Sequence, residues 1–565
     1  MRRLAWFLLV SATCFAQSSR DVPAVPAFED VSRRAGLTVS HITSPDQLYI
    51  MESMSGGVGF IDCDNDGKLD IVTANGSTVD HYRQGGDPMV TLYHQDADLK
   101  FTDITKSAGL LRKGWSMAVE VMDFDNDGWQ DLYVTGYGGN ALYRGLGNCK
   151  FEDVTEKAGL RASGFSAGAA WGDYDRDGYL DVFVPRYVHV DMNALPETHS
   201  DGVACTNQGA RVYCGPAGLP GDSDFLFHNR GDGTFEEVSK KAGVDNSNHF
   251  FGMQAIWADF ANDGWPDLYV ANDVNPNYHF HNKHDGTFED IGLVTGTAVD
   301  SDGRMQGSMG VDVADFDHDG LMDIVVTNFT QEGIDLYWNR GEQGFDQISG
   351  SAGMLDPTRP YVGWGTAFFD MDNDGWLDIL IVNGHVYPQV DRVKGAVPYR
   401  EPLQLFRNRR NHTFENVTQL SQLNAAGMHA RRGAAFGDVN NDGKVDILLG
   451  NLGEPPPLLI NRTQTTNHSA LFKLVGTKSN KAAIGARVTV TAGGVTQFME
   501  VRSGSSYFSQ NDLRLHFGLA ASTVMDKVEI AWPSGAKEVL NQVPADFIYT
   551  VVESSGIQGK TAFSK

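Results

Sequence analysis

Seven times along the chain a nine-residue frame recurs, with acidic residues at positions one, three, five and nine and glycine at position six. The first three copies are Asp62, Asp64, Asp66 and Asp70; Asp123, Asp125, Asp127 and Asp131; and Asp173, Asp175, Asp177 and Asp181. The rest are Asp259, Asp263 and Asp267; Asp315, Asp317, Asp319 and Asp323; Asp370, Asp372, Asp374 and Asp378; and Asp438, Asn440, Asp442 and Asp446. Position three departs from the pattern twice, as Ala261 and Asn440. Carboxylates at alternating positions converge when the backbone curls around a point, and the glycine permits the positive φ such a curl needs. With a carbonyl at position seven and the acid at position nine, the shell is all oxygen. It suits a hard dication of calcium size, whereas zinc would want Cys or His. Three or four like charges in one turn repel strongly without a counter-ion. Up to seven structural calcium ions are therefore expected, binding only the folded state and so stabilising it, with the fourth and seventh sites the weaker. A helix-flanked calcium hand is excluded, because position twelve, where it needs a bidentate acid, is Thr73, Val134, Val184, Val270, Val326, Ile381 or Leu449.

The elements that position these loops follow from the surrounding pattern. Each frame runs into an apolar, β-branched or aromatic stretch such as DIVTAN, DLYVTGY or DILIVN, read as a buried strand. Ahead of most frames stand small-residue stretches such as SMAVEVM and SAGAAWG, suited to strands lying close to their neighbours. A second signature, Phe-x-x-Val/Ile, recurs at Phe28, Phe101, Phe151, Phe235, Phe288, Phe345 and Phe414. Each unit of about 50 residues thus reads as four strands, the blade of a β-propeller. The fold expected is all-β: a seven-bladed propeller carrying the acidic loops, followed by a small C-terminal β-sandwich-like domain. The first Phe signature precedes any acidic loop and the last unit ends at Asn461 without one, so the N-terminal strand is expected to complete the last blade and remove two sheet edges.

Composition bounds the partners. Lys plus Arg is 45 against 72 Asp plus Glu, a net charge of −27 over 565 residues, and 26 of the acids lie in the frames. Such a chain repels phosphate backbones and anionic bilayers, so nucleic acid is not an expected partner. The 63 glycines against 20 prolines indicate a turn-rich globular fold. Residues 1–16 read as a secretory signal peptide, with Arg2 and Arg3 before a short apolar run; cleavage after Ala16 and lipidation at Cys14 both remain open. No later stretch is long enough to span a membrane, and the expected location is secreted, periplasmic or cell-surface. Cys205 and Cys214 are expected to form a disulfide there. Cys63 and Cys149 are left as a second bridge or two inert thiols.

The acidic repeats, over residues 28–465, resemble the FG-GAP/VCBS type of calcium-binding blade found in integrin α-subunits and many secreted bacterial proteins. That resemblance implies structural ions at Asp62, Asp64, Asp66, Asp70 and their equivalents. After Asn461 a different β pattern begins. Its blocks, Ser479-Asn480, Ile484-Gly-Ala-Arg487, Ser503-Gly-Ser-Ser-Tyr507, Ser509-Gln-Asn511 and Val528-Glu-Ile-Ala-Trp-Pro-Ser-Gly535, resemble in order the ASPIC/UnbV domain over 468–553. The chain as a whole is similar to the cartilage acidic protein family, a resemblance that implies no reaction. Residues 17–27 read as a linker and 554–565 as a flexible tail.

Catalytic motifs are sparse. Gly164-Phe-Ser166-Ala-Gly168 matches a nucleophile elbow but has no following helix, and Ser116 and Ser308 stand at the same place in other units. Loops on the face opposite the acidic frames are longer, the longest running from Pro185 to about Gly221. They carry Arg186, Tyr187, Asn272, Asp273, Asn328 and His385, the candidate ligand-binding rim. The reading is a non-catalytic recognition or adhesion module for an extracellular protein or glycan. The alternatives are a carbohydrate-active lyase or hydrolase with Arg186, Asp273 and His385 converging on one sugar, and a purely structural surface protein.

Overall fold

A computed structural model describes residues 24–195, 203–216 and 218–564. The signal-peptide segment 1–16, with Cys14, and most of the linker lie outside the described residues. Every acidic frame joins the first two strands of an antiparallel sheet. In the first sheet, Val58–Ile61 and Asp70–Ala74 flank the frame, followed by Val90–Ala97 and Lys100–Asp103. Seven sheets repeat this four-strand meander, two of them with an extra short strand. Their first strands are Val58–Ile61, Lys113–Met122, Ala170–Gly172, Phe251–Ala258, Val311–Ala314, Gly363–Phe369 and Arg431–Gly437. Six of the seven neighbouring pairs of these first strands lie against one another, the last against the first. The second and third sheets meet through the rings of Tyr133 and Trp171, 5.4 Å apart, and a bridge from Tyr137 to Phe165.

The ring is closed across the termini of the repeat region. Phe28–Asp30 pairs with Leu458–Asn461 as the outermost strand of the seventh sheet, Phe28 opposite Asn461. The other Phe signatures form the fourth strands, and five signatures lead into one-turn helices closed by Gly36, Gly109, Gly159, Gly243 and Gly296 in the left-handed conformation. In four of the five an Ala-Gly pair does this, the alanine packing inward and the glycine reversing the chain, while Thr295 stands before Gly296 in the fifth.

The C-terminal domain has two four-stranded sheets. One is ordered Leu515–Gly518, Ser469–Val475, Phe547–Val552, Gly556–Ala562; the other Val495–Glu500, Arg487–Ala492, Val524–Ala531, Lys537–Pro544. Their inner faces share an apolar core containing Phe472, Val488, Phe517, Ile530 and Tyr549. Residues 554–565, read from sequence as a flexible tail, instead supply the edge strand Gly556–Ala562. Its polar residues carry no apolar signal, and the pairing with Phe547–Val552 comes from backbone hydrogen bonds. No helix among the described residues is long and apolar enough to cross a membrane.

The domain caps the acidic-loop face of the ring and sends residues 503–512 down its axis. This segment touches the innermost strand region of all seven sheets. Gln510 N–H donates to Val58 O at 3.0 Å and Val119 N–H to Phe508 O at 3.2 Å. Phe508 N–H reaches Gln254 Oε1 at 2.8 Å, and Ser506 and Val311 exchange backbone bonds at 2.8 Å. Thr366 N–H donates to Ser506 Oγ at 3.0 Å and Phe436 N–H to Asn511 Oδ1 at 3.0 Å. At the third sheet, a Cβ on Gly504 would stand 2.4 Å from Ala169 O. The small-residue stretches of the inner strands make room for this plug: a Cβ on Gly57 would stand 2.2 Å from Phe508 O.

Candidate metal centres and the closed face opposite them

All seven loops adopt one geometry. The residue at position four takes a left-handed φ, from 54° at Asn262 to 65° at His318, and the glycine at position six is positive throughout. The carboxylate at position one accepts the position-six N–H in every loop, for example Gly128 to Asp123 at 2.8 Å and Gly443 to Asp438 at 2.7 Å. The acid at position nine bolts the loop to its sheet. Asp131 accepts from Phe124 N–H at 2.9 Å and from Gly145 N–H, on the third strand, at 2.7 Å. The carboxylates of Asp62, Asp64 and Asp66, and those of Asp123, Asp125 and Asp127, each bring one oxygen within 4.8 Å of the others.

Two rings of side-chain bonds, neither assigned from sequence, tie each loop to its neighbours. The position-four amides of Asn65, Asn126, Asn262, Asn373 and Asn441 donate to the position-six carbonyl of the next loop, the last closing the circle on Gly67 at 3.1 Å. Arg176 instead donates to Pro533 O of the cap. In the other direction, the amide ending the third strand reaches the position-two carbonyl of the preceding loop: Asn229 to Phe124, Asn282 to Tyr174, Asn339 to Phe260, Asn408 to Phe316 and Asn461 to Met371. Gln95 does the same to Val439 at 3.2 Å. The second sheet has Gly145 at this place, and there the link is covalent. A disulfide joins Cys149 to Cys63, position two of the first loop, and Cys149 N–H donates to Cys63 O at 3.1 Å. The pair left open by sequence is thus a bridge standing in for a missing amide.

Electrostatics separate the loops from ordinary turns. Burial pushes the carboxyls of Asp123, Asp173, Asp315 and Asp438 up to about 7, and neighbouring acids add to it. A cation among them would reverse that direction, since opposite charge favours the ionised form. The donor set therefore fits a hard dication held by positions one, three and five, with the carbonyl of position seven. The chain also supplies part of the counter-charge, which sequence reasoning did not anticipate. Arg144 lies 2.6 Å from Asp125 and 2.7 Å from Asp127, Arg410 2.6 Å from Asp374, and Lys444 3.3 Å from Asp442. The cap adds Lys473, 3.2 Å from Asp62.

Comparison with known proteins agrees with this architecture. The FG-GAP-like repeat matches residues 62–134, 123–184, 212–270, 259–326, 315–381 and 396–449, together more than half of the chain. The chain belongs to the FG-GAP-like repeat family. The ASPIC and UnbV family matches residues 476–558, within the cap. Cartilage acidic protein 1 of Homo sapiens is 29% identical over 337 residues, covering 58% of this chain and 47% of that protein. That of Xenopus tropicalis is 28% identical over 318 residues, covering 54% and 45%. The chain thus spans about half the length of the curated relatives it matches. Among solved structures, a Burkholderia pseudomallei lectin, BP39L, aligns with a TM-score of 0.43 at 10% identity, covering 72% of this chain and 96% of that one. An Agrocybe aegerita lectin recognising non-reducing terminal N-acetylglucosamine aligns at 0.38 and 15%, covering 73% and 90%. Scores this low carry no functional argument.

On the far face of the FG-GAP ring, five of the six side chains expected to line a rim are buried, and the sixth, Asp273, is half-buried. Arg186 pairs with Asp222, lies over the Phe225 ring at 4.8 Å and donates its N–H to Asp224 at 2.7 Å. Tyr187 donates to Asp273, whose carboxyl burial pushes up to about 6. Asn272 is held by Asn277 and Pro276, and Asn328 by Asp335 at 2.9 Å and Ser308 at 3.1 Å. His385 Nδ1 accepts Tyr387 N–H at 3.1 Å while its Nε2 has no partner, and burial with the nearby Arg432 charge lowers the imidazole to about 4. Of the six, only Tyr187 and Asp273 are hydrogen-bonded to each other. The rim is closed because the loops fold inward. Cys205 and Cys214 form the expected disulfide, and Val212, Tyr213, Ile50, Met51, Tyr387 and Val390 join one apolar cluster with Tyr507 and Phe508 of the plug. A loop sequence alone does not show whether its aromatic residues face a ligand or the chain's own axis.

Proposed function

We propose that this chain is an exported, non-catalytic recognition or adhesion module whose ring is held by up to seven structural calcium ions and which binds an extracellular protein or glycan. The observation that carries the calcium part is the shared geometry of the seven loops: convergent carboxylates around a left-handed turn, with the position-one acid raised by burial in six of them. Two disulfides support an oxidising compartment. The inward packing of Arg186, Asp273 and His385 supports recognition by the outer surface of the closed loop layer rather than chemistry within it. The test is a glycan array and binding assays with purified extracellular-matrix proteins, each run in calcium and in EDTA. Saturable, calcium-dependent binding without turnover is expected; depolymerisation of a polysaccharide that His385→Ala abolishes would replace this reading with the enzyme one.

A further inference from the structure

The third acidic loop differs from the others in what its own sheet turns toward it. His228, on the third strand Phe225–Asn229, places Nδ1 3.0 Å from Asp181 Oδ1 and 3.5 Å from Asp175 Oδ2. These three side chains offer ligand atoms that all lie within 4.8 Å of one another. The second carboxylate oxygen of Asp175 is buried and has no hydrogen-bond partner, so it is free to accept a further ligand. A groove of about 310 Å³, lined by Asp175, His228, Glu236, Trp265, His284 and Asp285, leads to the cluster and gives an ion a path to it.

The place of His228 is filled differently in the other sheets, although His412 of the sixth sheet stands 3.3 Å from Asp317 of the fifth loop. Arg144 and Arg407 stand at the place of His228 in the second and sixth sheets and bring a fixed positive charge. Trp338 and Ile460 stand there in the fifth and seventh. In the first, His94 is shared between Asp64 at 3.2 Å and Asp96 at 2.9 Å, and the third member of its group is the disulfide sulfur of Cys149. In the fourth, His281 faces Asp267, but Ala261 removes the position-three acid.

We propose that Asp175, Asp181 and His228 form a mixed nitrogen and oxygen site for a borderline divalent transition metal of the zinc, cobalt or nickel class. An imidazole nitrogen beside two carboxylates favours such ions over calcium, which takes oxygen ligands only. The inference rests on the reading that the acidic loops hold cations, and narrows it at one of them.

The test uses the full chain, stripped of metal, saturated with calcium and titrated with cobalt(II) as a spectroscopic probe. One equivalent of cobalt is expected to stay bound against excess calcium, with visible absorption bands of nitrogen ligation. His228→Ala and, separately, Asp175→Asn should each weaken that binding by about tenfold or more, while His281→Ala leaves it unchanged. Folding of each variant is checked by its calcium-dependent melting shift, which His228→Ala should retain. Cobalt that calcium displaces completely, or bands that survive His228→Ala, would overturn the proposal while leaving the calcium reading standing. Failure of calcium itself to shift melting would instead strike the underlying reading.

Discussion

At the scale of single residues, the asparagine that ends the third strand in five of the sheets does more for the ring than its surface-like chemistry suggests. Asn339 Nδ2 donates to Met322 O at 3.0 Å within its own sheet and to Phe260 O at 3.2 Å in the preceding loop. Asn339→Ala leaves both buried carbonyls unpaired and should cost about 2–3 kcal/mol, read by chemical denaturation against an exposed control such as Asn411→Ala. The recurring asparagine was visible in the sequence, but its role was not, because its partner lies 79 residues away in a different repeat. Glu553 in the cap is a second case. Its burial opposes ionisation, yet Ser534 and the N–H groups of Lys478, Ser479 and Thr477 pull it down to about 2 from an ordinary 4.5. A depressed acid stabilises the fold above its unfolded value and loses that contribution as pH falls through the folded one. The stability difference between the native chain and Glu553→Gln should therefore be constant above pH 4.5 and shrink between 4.5 and 2; a difference that grows on acidification would contradict it.

At the scale of elements, strand order and ring closure were legible because they rest on periodic signals. The Phe signature at Phe28 had no acidic frame before it, and Asn461 had no signature after it, so each needed the other as a partner. The cysteines were less legible, since nothing local marks Cys149 as a substitute for the amide that Gly145 lacks. Only the folded contact of Cys149 with Cys63 of the first loop shows it. The bridge spans 86 residues, and replacing both cysteines by alanine should destabilise the ring by about 2–5 kcal/mol. Differential scanning fluorimetry of the double variant against the oxidised parent measures this, and equal melting temperatures would reduce the bridge to an ornament of the loop.

At the scale of the whole molecule, ring and cap are one body joined along the axis. Neither the plug nor the closed far face could be read from sequence, because Ser503-Gly-Ser-Ser-Tyr507 has the composition of a solvated turn and the partners of the whole segment 503–512 are spread over all seven sheets. The same long-range packing turned the expected rim into interior. Tyr507 is fully buried, donates to Met54 O at 2.7 Å and stacks on Phe508 at 3.8 Å. Tyr507→Ala should cost about 3–5 kcal/mol and lower the melting of ring and cap together; a cap transition alone would show that the axis contributes little to the ring. The central claim is that dications neutralise the carboxylates of the acidic loops and thereby hold the sheets in their cycle. Its most direct measurement is calorimetric melting of the metal-stripped chain across a calcium titration. The melting temperature should rise with calcium concentration and fall back with excess EDTA; a melting temperature unmoved by either would contradict the claim.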